Sequence, residues 1–214
     1  KEISWSPGLY KIVDELVVNA YDQSIRDKTL SIISAEISSH TFSIFNDGIG
    51  IDVIIHPIHK IYVPELIFSN LLTSTNYDEL EQRITGGTHG LGAKLSAIFS
   101  KKFVIEIWDS TRKLYYFQTL ESNLSKISIP KIKKYSQINL DFGEKTKIKG
   151  GIKITMEPDF AKFKSTNFSI DMLDLISRRI LDLIGLVRDP VQIYLNKQSV
   201  RNKNQFDGLG FLYY

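Results

Sequence analysis

The chain has 214 residues, 43% of them hydrophobic, with no cysteine and a formal charge of +3. That is enough apolar material for a packed domain. The lack of thiols excludes disulfide frameworks and thiolate metal sites, and no apolar run approaches the roughly 18 residues of a membrane span. No repeat or low-complexity tract interrupts the sequence, which reads as one continuous α/β domain over 1–214. After Pro7, Leu9, Val13, Leu16, Val17 and Ala20 recur on one helical face until about Asp27, which predicts a first helix. Two alternating segments, Leu30–Ile37 and Thr41–Phe45, predict adjacent strands, the second ending at the turn signal Asn46-Asp47-Gly48. Pro64–Leu72 reads as a second helix, Thr73–Gly92 as a long loop and Ala93–Phe99 as a third helix. From Phe103 the pattern turns to β, with candidates at Phe103–Trp108, Lys113–Leu120, Ser125–Ile129, Ser136–Phe142 and Ile152–Met156. Phe168–Val187 reads as a long amphipathic helix and Val191–Leu195 as a last strand before NKQS, a hairpin turn.

The chemistry concentrates in Thr85–Leu95, TGGTHGLGAKL, four glycines in seven residues closing on Lys94. Glycines let successive backbone N–H groups converge on an anion, and the helix that follows turns its N-terminus toward the same place. The spacing departs from the Walker pattern, because Leu95 and not a hydroxyl follows Lys94. A dinucleotide fingerprint fits no better, because no buried strand precedes the loop. A phosphate cradle and a plain glycine loop both remain open on these residues alone. On the first helix Glu15, Asn19 and Asp22 form a polar stripe at the edge of the apolar face. A carboxylate there can act as a base, and an asparagine offers Mg²⁺ one carbonyl oxygen beside water and phosphate ligands. In FNDGIGI, the Asn46 amide can donate to and accept from a purine edge while Gly48 and Gly50 allow a flat ring to approach; NDG alone is also an ordinary turn. The hydroxyls of LLTSTNYDEL suit ribose and phosphate contacts or a helix cap. His56 and His59, without further ligands, read as structural and not as a zinc pair. No nucleophile-elbow spacing supports acyl-enzyme hydrolysis. Lysines at 126, 131, 133, 134, 145, 147, 149 and 153 form a basic tract that reads first as solvated strand and loop faces.

The order of the pieces, ELVVNAYD, then FNDGIG, then TGGTHGLGAKL, resembles the Bergerat-fold ATPases of the GHKL superfamily. SPGLYKIVDELVVNAYDQSIRD, IYVPELIFSNLLTSTNYD and TGGTHGLGAKLSAIFS narrow the likeness to the N-terminal ATPase domain of eukaryotic-type type IIA DNA topoisomerases, and it continues through MEPDFAKF and LVRDPVQIYLN to nearly the end. This resemblance implies a two-layer α/β sandwich, a mixed, mostly antiparallel sheet with helices on one face. It implies ATP and Mg²⁺ as cofactors, Glu15 as general base and Asn19 as metal ligand. Asn46 would meet the adenine, with Ile51, Ile67 and Phe68 as walls of the base pocket. Arg26, Ser74, Thr75 and Asn76 would contact ribose or phosphates. The lid would be Gly87, Thr88, His89, Gly90, Leu91, Gly92, Ala93 and Lys94. In a whole enzyme of this kind ATP closes two such domains as a gate around a DNA duplex, which makes duplex DNA and a second subunit the partners, without a membrane. An intracellular setting is implied, the nucleus or, for a viral protein, the cytoplasm.

Several residues depart from the family pattern. Thr88, His89 and Leu91 stand where Arg, Asn and Tyr are usual, so backbone contacts to phosphate survive while side-chain contacts are altered. Gln23 replaces a usual Asn and Tyr21 a usual Ala. Ile152 follows Gly151 where relatives commonly carry Thr, which predicts a shifted water network beside the base. The transducer domain, with its phosphate-binding lysine, and the N-terminal arm are not in these 214 residues, so slow turnover and weak dimerisation are expected of the fragment. A chaperone or mismatch-repair ATPase of the same fold, and a nucleotide-binding module with little catalysis, are the rival readings.

Overall fold

A capped, proline-started helix opens the fold. The Ser6 hydroxyl faces the N–H of Leu9 and Pro7 fills the first turn, so α1 runs Pro7–Arg26 and buries Leu9, Val13, Leu16, Val17 and Ala20. The computed structural model describes residues 3–70, 92–136 and 148–200. Beyond α1 lie β1 (Ile32–Ile37), β2 (Phe42–Asp47), α2 (Val63–Ser69), α3 (Gly92–Ile98), β3 (Ser100–Asp109), β4 (Leu114–Glu121), β5 (Lys126–Ile127) and β6 (Lys131–Lys134). They are followed by β7 (Gly151–Pro158), a 3-10 turn at Phe160–Phe163, α4 (Ile170–Leu186), β8 (Gln192–Leu195) and β9 (Gln198–Ser199). Among the described residues the strands make one sheet in the order β5-β4-β3-β7-β2-β1-β8-β9, with β6 also on β4. The β1–β8 pair is parallel and the other pairs are antiparallel.

Strand alternation sorts the side chains onto two faces. On β3, Phe103, Ile105 and Ile107 join the main core with Leu16 and Val17 of α1, Ala97 of α3 and Ile176, Ile180 and Leu183 of α4, whereas Trp108 points the other way. That second face carries a smaller cluster of Ile32, Phe45, Trp108, Ile148 and Tyr194, flanked by Tyr115 and Tyr135, and no helix residue joins it. The helices therefore sit on one face, as expected for the two-layer sandwich. Among the described residues, none of them is long and apolar enough to cross a membrane.

Boundaries differ from expectation where side chains compete with the backbone. The second helix ends at Ser69, not Leu72: the Ser69 hydroxyl donates back to the Glu65 carbonyl at 2.7 Å, and Asn70 is already extended. The strand expected over Ser125–Ile129 shortens to two residues. At Ser128 a hydroxyl replaces the backbone carbonyl as acceptor for the Thr119 N–H (2.9 Å), and the carbonyl turns to the Gln118 amide (3.0 Å). A strand not foreseen, β6, pairs with β4 on the strength of one apolar residue, Ile132, flanked by exposed lysines that keep this rim soluble. These exposed lysines, with Lys126 and Lys149, agree with a solvated strand face for the described part of the basic tract. The expected strand Ser136–Phe142 lies, Ser136 apart, outside the described residues, as does the loop before Gly92. NKQS is the β8–β9 hairpin turn, with Asn196 and Lys197 both in the left-handed region (φ 48° and 66°).

Asp109 pins the end of β3. Only 1% exposed, it accepts the N–H groups of Val53 (3.0 Å), Thr111 (3.0 Å) and Arg112 (2.9 Å) and pairs with the Arg112 guanidinium at 3.0 Å. Burial works to raise its pKa, but these donors outweigh it and hold the carboxyl below the ordinary 3.8. Its contribution to stability is then complete above about pH 3.8 and is lost as pH falls through the lower folded value. Asp109→Asn is expected to lower unfolding free energy by about 1–3 kcal/mol at pH 7. In denaturant titrations the gap between variant and parent should narrow as pH drops below the ordinary carboxylate range; a gap independent of pH would contradict this assignment.

Candidate functional site

The apolar stripe of α1 faces the sheet, which leaves Glu15 and Asn19 on its rim. Glu15 is half-buried, and its Oε1 accepts Lys11 Nζ, one turn earlier, at 2.6 Å. This carboxylate holds the Lys11 ammonium above its usual pKa. Asn19, the next turn along, is exposed; Asp22 departs from the expected stripe and is buried. Helix α3 packs directly on this part of α1. Ser96 Oγ donates to the Ile12 carbonyl at 2.6 Å, an interhelical bond between fully buried groups. At the first residue of α3, a Cβ on Gly92 would overlap Glu15 Oε2. A side chain there would have to push the Glu15 carboxylate aside, so the start of α3 and that carboxylate lie in close contact. Ala93 is buried behind it and Lys94 is half-buried.

The opposite wall comes from β2. Alternation puts Asn46 on the helix-facing side, 7% exposed, between Ile33 of β1 and Ile152 of β7. Its Nδ2 donates to the Asp47 carbonyl at 3.1 Å. The sequence departure at Ile152 thus falls opposite Asn46 in the β2–β7 ladder. Gly48 and Gly50 have φ of +121° and +84°, the left-handed region that only glycine adopts freely. Ile51 packs half-buried at the edge of the main core. Helix α2 turns Phe68 inward against Phe103, at 6.1 Å between ring centres, and leaves Ile67 38% exposed. Arg26 is exposed in the last turn of α1. Ser74, Thr75, Asn76, Gly87, Thr88, His89, Gly90 and Leu91 lie outside the described residues. His56 Nδ1 accepts the N–H groups of Ile58 and His59 at 3.3 Å, which accounts for the first histidine as a loop acceptor.

Two acids that the sequence reading passed over bind the site together. Asp27 caps α1 and accepts from Thr29 N–H (2.9 Å), Thr29 Oγ1 (2.6 Å) and Ile49 N–H (2.8 Å). Asp47 accepts from Ser31 N–H and Ile32 N–H at 2.7 Å and from Ser31 Oγ at 2.5 Å. Burial raises the Asp47 pKa beyond what its donors can offset, whereas at Asp27 the opposing hydrogen bonds and Arg188 win and the pKa is lowered. A local signal existed: Asp-x-Thr at a helix end is an Asx-turn pattern. Its second partner, 22 residues away, leaves no trace in the sequence.

No protein-family model matches the chain. Among curated proteins it is 46% identical over 206 residues to DNA topoisomerase 2 of Meyerozyma guilliermondii, which covers 94% of this chain and 14% of that protein. It is 40% identical over 206 residues to DNA topoisomerase 2 of Saccharomyces cerevisiae, at 95% and 14% coverage. The chain therefore spans 14% of the length of these relatives. The solved ATPase region of Saccharomyces cerevisiae topoisomerase II superposes with a TM-score of 0.84 at 40% identity, covering 94% of this chain and 51% of that one. The ATPase and transducer domains of Balamuthia mandrillaris topoisomerase II give 0.81 at 37% identity, with 92% and 49% coverage. The gyrase B ATPase domain of Thermus thermophilus gives 0.63 at 16% identity, covering 88% and 43%, and bears on the fold alone. The chain belongs with the ATPase regions of eukaryotic-type DNA topoisomerase II, built on the Bergerat fold.

Proposed function

We propose that this domain binds Mg·ATP between α1, the Asn46 turn and the start of α3, and hydrolyses it with Glu15 as general base. The observation that carries the reading is the close approach of Glu15 Oε2 to Gly92, so close that a Cβ there would overlap it. It sets a half-buried carboxylate against the first turn of the helix that follows the glycine loop, where a phosphate chain would end. Asn19 fits a Mg²⁺ ligand: its exposed amide lies one turn from Glu15, and this ion commonly takes one or two protein oxygens and completes its shell with phosphate and water. When bound, the ion would neutralise phosphate charge. Glu15 orients the attacking water and accepts its proton, Asn46 meets the adenine edge, and Lys94 with the backbone around Gly92 faces the phosphates. In the whole protein this chemistry would work a gate between two subunits that admits duplex DNA.

A non-hydrolysable ATP analogue is expected to bind, more weakly once Mg²⁺ is removed; absence of binding would overturn the reading. Glu15→Ala in the full protein should lower turnover by about 10²–10⁴-fold, the typical worth of a positioned acid or base, with analogue binding retained. Unchanged turnover would remove Glu15 from that role.

Gly92→Ala isolates the steric argument, because alanine suits a helix better than glycine. The methyl must displace the Glu15 carboxylate or lift α3, so turnover is expected to fall about 10²-fold. Thermal unfolding should stay within a few degrees of the parent. A fully active variant would show that the carboxylate and α3 need not share that space.

A further inference from the structure

The turn proposed to receive the base is held from outside its own strand. Glycines at 48 and 50, both at positive φ, leave Asp47–Gly50 with many accessible backbone states, so its single conformation needs an anchor. Ser110 N–H (3.2 Å) and Oγ (3.0 Å) hold the Ile49 carbonyl from the β3–β4 side, and two carboxylates bind the α1 side reciprocally. Asp27, at the end of α1, reaches into the turn to accept the Ile49 N–H, and lies so close to Gly48 that a Cβ there would overlap its Oδ2. Asp47, the last residue of β2, reaches back to Ser31 and to Ile32 at the start of β1. The loop between them is braced in turn by Arg188, whose guanidinium donates to the carbonyls of Lys28 (2.6 Å) and Leu30 (3.0 Å).

We propose that Asp27 is a positioning residue for base selectivity. By seating the Asp47–Ile49 turn, its carboxylate fixes the direction in which Asn46 presents its amide to a purine. It also makes that direction depend on the C-terminal end of the helix that bears Glu15 and Asn19. The proposal rests on the reading of the Asn46 turn as the base site. Asp27 touches no nucleotide itself: its three donors come from Thr29 and Ile49, and it acts through the backbone.

Asp27→Asn separates this role from general stability. Its one remaining acceptor is claimed by the two Thr29 donors, so the new amide meets the Ile49 N–H donor to donor and only the link to the turn is lost. In the full protein, non-hydrolysable ATP and GTP analogues and inorganic tripolyphosphate are titrated in turn. Asp27→Asn should cut the adenine-over-guanine preference about tenfold, the size of one such hydrogen bond, and leave tripolyphosphate affinity unchanged. Equal weakening of all three ligands, or an unchanged preference in a folded variant, overturns the proposal. If Asp27→Asn fails to fold, Thr29→Val, which drops one donor and keeps the charge, should reduce the same preference by a smaller factor; no reduction overturns it likewise. Asn46→Ala is measured alongside. If it leaves the preference intact, the base-site reading falls and Asp27's role with it; if it abolishes the preference while Asp27→Asn does not change it, only the role of Asp27 falls.

Discussion

The contact on which the rest of the structure depends is the burial of α1 across the sheet. Leu9, Val13, Leu16, Val17 and Ala20 have one way to lie against Ile33, Ile44 and Ile105, and that choice fixes the rotation of the whole helix. At 100° per residue, no freedom remains for Glu15 and Asn19: they must emerge at the edge of the apolar face, Glu15 against the start of α3. The carboxylate proposed as the base is thus aimed by hydrophobic packing one face away. Lys11, well exposed, can release Oε1 at little expense, while Oε2 lies against the start of α3, where a Cβ on Gly92 would overlap it.

Legibility in the sequence followed the range of the interaction. Helix α1, the β1–β2 hairpin, β3, β4, β7, α4 and the β8–β9 turn were all readable, because their signals are periodicities and turn residues a few positions apart. Glu15, Asn19 and Asn46 could be singled out for the same reason: an unneeded polar residue beside an apolar stripe shows within two turns of helix or at one strand end. The misses are of another kind. β6 is a strand only because β4 lies beside it, and Ser128 truncates β5 by a hydroxyl contact across the ladder. Asp22 belongs by spacing with Glu15 and Asn19, yet tertiary packing buries it. The ligand roles came from family likeness; the residues alone allowed a phosphate cradle or a plain loop.

The two faces of the sheet divide the work. Every described element that carries a candidate ligand, α1, α2, α3 and the β2 turn, lies on or opens toward the helix-covered face, where alternation puts Asn46 between two isoleucines. The other face holds its own aromatic cluster around Phe45 and Trp108, in which neighbours of the site residues point away from the site. Asn46 and Phe45 show the consequence. Adjacent in sequence, they serve opposite faces, so a one-residue slip in the β2–β7 register would bury the amide in the aromatic cluster and turn a phenyl ring to the helix-covered face.

That register needs guarding where β2 ends, since the turn beyond it is glycine-rich and the strand cannot hold it alone. The exchange of carboxylates between the α1–β1 loop and the end of β2 meets the need with a price in charge: Asp27 and Asp47 are both buried, and the Asp27 charge adds to the cost of ionising Asp47. The asymmetry in their pKa directions shows how the structure tolerates this. Asp27, helped by Arg188 and by donors from two loops, remains the firmly ionised member, and Asp47 absorbs the strain. Asp27, the C-cap of the helix that bears Glu15, thus forms the ionised link from α1 to the turn, which Ser110 holds from its other side. A shift at the C-terminal end of α1 would be felt at the Gly48–Gly50 turn, so the proposed phosphate and base ends of the site would be coupled through carboxylate–backbone hydrogen bonds between segments far apart in sequence.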